Sequence, residues 1–175
     1  MTAPKSGPQS APQTAPLTVS RVFKAPLDLV WRVQTEAAHM AKWLSPANPD
    51  AFQSRMDFRV GGTHFYGSPM PDGALMYGIL TYREIVPQSR IVHVQSFADK
   101  DGNIAPHPMA PTWPREMLAT TAFEDLGDGT TRLSITWVPL NATDVEAATF
   151  DGARAGMQGG WDHQFSQIEG YLAGL

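Results

Sequence analysis

Residues 143–172, TDVEAATFDGARAGMQGGWDHQFSQIEGYL, decide the fold. Phe150, Ala153, Met157, Trp161, Phe165, Ile168 and Leu172 recur there at helical spacing, which predicts one long helix with a continuous apolar stripe. Such a stripe has to be buried against something. Gly156, Gly159 and Gly160 interrupt it, each costing a helix interior up to ~1 kcal/mol relative to alanine. Close backbone packing against the sheet or a short helix is the preferred explanation, with a bendable segment over a cavity as the other. No strand precedes the glycines, so they do not form a dinucleotide fingerprint.

Upstream of the helix the pattern has the two-residue period of strands, over 52–59, 63–67, 76–86, 91–98, 118–125 and 131–139. Gly61-Gly62, Pro71-Asp72-Gly73, Pro87-Gln88 and Gly127-Asp128-Gly129 supply turns between them, which predicts an antiparallel meander. Further upstream, Leu17, Val19, Arg21 and Phe23 alternate with Thr18, Ser20 and Val22 as a half-buried strand. Pro26 then opens a short helix with Leu27, Val30, Trp31 and Gln34 on one stripe. Thr35 is expected to cap a second short helix carrying Met40 and Trp43 and ended by Pro46. The connection 99–116, with Pro106, Pro108, Pro111 and Pro114, is too long for a hairpin; it is either a lid over a binding site or a rigid surface loop.

These elements predict an α+β helix-grip fold, a seven-stranded curved antiparallel sheet around a long C-terminal helix in the order β-αα-β6-α. A sheet curved around one helix is expected to leave a cavity between them. Residues 17–175 form one expected domain, and 1–16, rich in Pro, Ala, Ser and Gln without an apolar core, read as a disordered tail. The absence of cysteine removes disulfides and thiolate metal sites and fits a reducing compartment, so a cytoplasmic location is expected. No apolar run approaches the ~20 residues of a membrane span, so no membrane partner is expected. The net charge of −4, with 13 scattered basic residues, argues against nucleic acid, which needs clustered Lys and Arg.

Six segments run in the order of a known family: Arg21-Val22-Phe23-Lys24-Ala25-Pro26 with Val30-Trp31; Trp43-Leu44-Ser45-Pro46; Phe58-Arg59-Val60-Gly61-Gly62; Glu84-Ile85-Val86-Pro87 through Arg90-Ile91-Val92; Thr120 to Glu124 with Gly129-Thr130-Thr131-Arg132-Leu133; and Gly160-Trp161 leading to Tyr171-Leu172. In these segments the chain resembles the Hsp90-activator-like branch of the START/Bet v 1 superfamily. The resemblance implies the helix-grip fold over nearly the whole chain. It leaves function open, because family members include small-ligand binders, aromatic polyketide cyclases, resistance proteins and relatives of a co-chaperone domain.

The five histidines, His39, His64, His93, His107 and His163, show no metal-binding spacing, and neither a nucleophile elbow nor a phosphate loop is present. No cofactor is implied. Adjacent Asp162 and His163 point in different directions on a helix and do not make an acid/base pair. Against the family pattern, His64 and Tyr66 stand where relatives place bulky aromatics, and His93 and Gln95 stand where relatives place apolar residues. Alternation puts each pair on one face. If that face is concave, the four project into an apolar pocket and orient a ligand, with Thr121 beside them. The implied apolar walls are Ile135, Trp137, Met157, Trp161 and Phe165, and Trp113 is a candidate aromatic lid. If the face is convex, the same groups are structural.

Three functions follow as expectations. The first is a domain binding a small hydrophobic or aromatic molecule between the sheet and the terminal helix. The second is a cyclase or hydrolase using a pocket histidine, for which no catalytic set can be named. The third is an Hsp90 co-chaperone-like interaction module, ranked last because the relatives that name the family carry a further N-terminal domain that the tail is too short to replace. Binding is expected over catalysis, and a homodimer is left open.

Overall fold

The computed structural model describes residues 14–175, so the expected tail lies almost entirely outside the described residues. Seven strands alternate with helices in the order β1 (Leu17–Phe23), α1 (Leu27–Thr35), α2 (Ala37–Leu44), β2 (Gln53–Met56), β3 (Thr63–Pro69), β4 (Leu75–Val86), β5 (Arg90–Ala98), β6 (Glu116–Asp125), β7 (Thr131–Leu140), α3 (Asp144–Gly152) and α4 (Arg154–Leu172). A single 3-10 turn, Pro49–Ala51, leads into β2.

All strand pairs are antiparallel, and the curved sheet has the spatial order β1-β7-β6-β5-β4-β3-β2. The meander from β2 to β7 is sequential, whereas β1 crosses to pair with β7, placing Leu17 opposite Trp137. Alternation decides what each strand buries: Val19 and Phe23 of β1 face the core while Thr18 and Ser20 are exposed. The core gathers Phe23, Val30, Val33, Trp43, Tyr82, Ile91, Leu133, Phe165 and Ile168 between the concave face and the helices α1, α2 and α4. Burial of side chains this large contributes roughly 1.5–3 kcal/mol each.

The paired glycines expected to turn the chain before β3 have a steric reason. Gly61 has φ +80°, and a Cβ on Gly62 would lie 2.2 Å from the Asp57 carbonyl oxygen. Asn141, with φ +52°, ends β7 in the left-handed region that asparagine tolerates better than most residues. Thr143 then caps α3 reciprocally with Glu146.

Three expectations are corrected. Thr35 ends α1 and does not cap α2: its hydroxyl donates to the Trp31 carbonyl, and Glu36 occupies the cap position. The helix over 143–172 is two helices joined at Ala153, whose N–H is shared among the carbonyls of Thr149, Phe150 and Asp151. Gly152, a weak helix former, stands at the break, and Phe150 just before it is fully buried. The glycines of α4 are not close-packed, because a Cβ on Gly156, Gly159 or Gly160 would meet nothing within 4 Å. Among the described residues, no helix is long and apolar enough to cross a membrane.

Candidate functional site

The concave face and the helices leave a hollow of about 360 Å³. Its floor is built by parity: His64 and Tyr66 from β3, Leu80 and Tyr82 from β4, His93 and Gln95 from β5, Thr121 from β6, and Ile135 and Trp137 from β7. Gln34 of α1, Met40 and Trp43 of α2, and Met157 and Trp161 of α4 close it from the helical side. Nine of the eleven residues expected to line a pocket are therefore brought together here.

Two lie elsewhere. Phe165 is fully buried in the core against Phe23, with ring centroids 5.9 Å apart, so it supports the wall through Trp161 and is not part of it. Trp113 borders a second hollow of about 470 Å³, with His107, Met117, Gly152 and Gly156. It also anchors its loop, because its ring packs on Phe150 at 5.9 Å, beside a Thr149–Thr112 hydroxyl bond of 2.9 Å. The long connection is thus docked onto α3, and His107 within it packs on Phe97 at 4.4 Å.

The polar groups of the first hollow are ordered. Gln95 Nε2 donates to the Tyr66 hydroxyl at 3.1 Å, and Ser54 Oγ is 2.9 Å from His64 Nε2. Tyr66 stacks on Phe52 with centroids 6.2 Å apart. Opposite Tyr66 in the ladder is Gly78, where a Cβ would come within 2.5 Å of the Tyr66 ring and hydroxyl. Glycine at that strand position is what lets the tyrosine lie across β4 and reach Gln95.

Three buried polar atoms, Gln34 Nε2, His64 Nδ1 and His93 Nδ1, have no hydrogen-bond partner among the described residues. Leaving a buried polar atom unpaired costs about 1–3 kcal/mol. Burial pushes both imidazoles down from 6.5 to about 4, and for His93 the neighbouring His64 adds to the effect. Both rings are neutral at pH 7, so each can donate from one nitrogen and accept at the other. Burial raises the Tyr66 phenol, partly offset by the bond from Gln95. No charged side chain lines either hollow among the described residues. Neutral polar side chains set among apolar walls can orient an uncharged molecule, whereas imidazoles this far depressed are weak bases at neutral pH.

Ser54 and Gln34 were not legible as site residues. Gln34 reads as one position of a helical stripe, and Ser54 acquires its role only from the β2–β3 register that sets it opposite Tyr66. Leu80, Tyr82 and Phe97 share the concave parity of their strands and were within reach of the same alternation rule. Asp162 and His163 are exposed and outside both hollows, with Asp162 3.7 Å from Arg21.

The sequence model of the family described as "Activator of Hsp90 ATPase homolog 1-like protein" matches residues 24–173. No curated protein matches the chain. Among solved structures, protein Ms6760 from Mycobacterium smegmatis superposes with a TM-score of 0.71 at 22% identity, covering 91% of each chain. A protein from Arthrobacter aurescens gives 0.72 at 21% identity, over 93% of this chain and 88% of that one. A Rhodobacter sphaeroides protein gives 0.68 at 20% identity over 97% of both. At these identities the likeness is one of fold.

Proposed function

The chain belongs to the Activator of Hsp90 ATPase homolog 1-like family, and from that premise we propose that it is a small-molecule binding domain holding an uncharged apolar or aromatic ligand between the sheet and α4. The observation that carries this reading is the hollow itself, where His64, Tyr66, His93 and Gln95 stand among apolar walls and where Gln34 Nε2, His64 Nδ1 and His93 Nδ1, on lining residues, are buried without a partner among the described residues. A fold with no use for these atoms gains stability by replacing them with apolar groups. A ligand carrying a hydroxyl or carbonyl satisfies them on binding.

Native mass spectrometry of protein purified gently from its own host tests the reading directly. A discrete bound mass that is released on denaturation is expected. It should be retained less by a His64→Leu variant and by a Tyr66→Phe variant that melt cooperatively. Equal retention by wild type and both variants would remove the polar lining from the binding role. Among the alternatives, catalysis by a pocket histidine has less support, because rings neutralised at about 4 hold few protons at pH 7 to give to a substrate.

A further inference from the structure

The two hollows are neighbours. Gln95, Phe97, Trp137 and Met157 belong to the walls of both, so the two adjoin at these residues, the neck between them. Their polar share is similar, and what differs is how the polar atoms are partnered. All three unpartnered buried polar atoms are on residues of the first hollow. In the second, His107 Nδ1 is already occupied, accepting from the N–H groups of Met109 and Ala110 at 3.0 and 3.1 Å. Gln95 and Ser96 also border it, with Phe97, Trp113, Met117 and Met157 as its apolar walls.

The space also has an identifiable origin. Gly152 and Gly156 border the second hollow and Gly160 borders the first, a spacing of four residues along the helical segment. A Cβ at any of them would meet nothing within 4 Å. Larger side chains there would project over the lane joining the two lobes. Met157, an unbranched and adaptable side chain, sits in the same stretch at the neck.

We infer that the two hollows form one elongated site whose ligand is an uncharged head-and-tail molecule: a hydroxyl- or carbonyl-bearing head placed among Gln34, His64 and His93, and an apolar tail that passes Met157 and Trp137 to lie under Trp113. This inference rests on the binding reading above and adds the shape and polarity of the ligand. Volumes of about 360 and 470 Å³ are each at the small end of ligand pockets, and together they suit a molecule longer than a single ring.

The test is calorimetric titration of the full chain with 4-ethylphenol and 4-octylphenol, two neutral phenols differing only in tail length. In wild type the longer tail should tighten binding by at least 10-fold, since each fully buried methylene is worth about fourfold. Gly156→Leu, which fills the second lobe, should abolish that gain and leave 4-ethylphenol unchanged. Met157→Phe at the neck provides a second block should Gly156→Leu melt early. His64→Leu should weaken both phenols alike. Equal affinity for the two phenols in wild type, or a tail gain that survives both blocking variants, overturns the elongated site while leaving the binding reading intact. Binding of neither phenol, or binding indifferent to His64→Leu, overturns both.

Discussion

His64 and His93 are buried on the concave face with imidazoles held at about 4, against 6.5 when exposed, and this sets a pH dependence of known sign. Between pH 6.5 and 4 the unfolded chain binds protons that the folded chain refuses, so stability is full above 6.5 and falls as the pH drops towards 4. The loss is up to about 3 kcal/mol for each ring, reached through coupled steps because the two rings repel when charged. Urea midpoints at pH 7.5, 5.5 and 4.5 check this: a His64→Leu/His93→Leu variant should lose less over that range than wild type, and parallel profiles would rule the mechanism out. The parity that puts these histidines beside Tyr66, Gln95 and Thr121 was legible, because a strand's alternation is local. Ser54 was not, since its contact with His64 depends on a register fixed between two strands. Phe165 was misassigned for a related reason: a helical stripe marks which side of α4 is buried, not where along it the sheet comes into contact and where it draws away.

The terminal helical segment is the element in which local and global demands disagree. Its glycines lower helix propensity without the close packing that normally justifies them, and the sequence could not show this because what a Cβ would meet depends on the distance to the sheet. Gly159 is exposed in the interior of α4, so Gly159→Ala should raise stability by about 0.5–1 kcal/mol. For a chain of this size that is roughly 1–4 °C in Tm, and a melting curve that is unchanged or lowered would mean the position is strained in some way its backbone does not display. The break at Ala153 also escaped the sequence, because Phe150, Ala153 and Met157 keep helical spacing straight through it. Gly152 beside the break was the available signal. The proline-rich connection, left between lid and surface loop on sequence grounds, is docked through Trp113 on Phe150.

At the scale of the molecule the seven strands, the antiparallel meander and the presence of the helices were legible from periodicity and turn residues, whereas the pairing of β1 with β7 was not, because nothing local marks a partner so far along the chain. One pairing has a temporal consequence. Thr18 meets Thr136 across 118 positions of chain, through a hydroxyl bond of 2.9 Å and the β1–β7 ladder. A ribosome adding 5–20 residues per second therefore holds β1 without its partner for about 6–24 s, long after the hairpins from β2 to β5 can close. Because the long loop must close before its contacts stabilise anything, the sheet is expected to be completed late and slowly. Chains stalled on the ribosome before Thr131 has emerged should remain open to protease, and chains long enough to expose Leu140 and both terminal helices should be protected. Protection in the shorter chains would mean that the domain acquires its fold without its first strand. Otherwise the newborn protein spends seconds with β1 unsatisfied, and that interval is when it is most open to pairing with other chains or to capture by a chaperone.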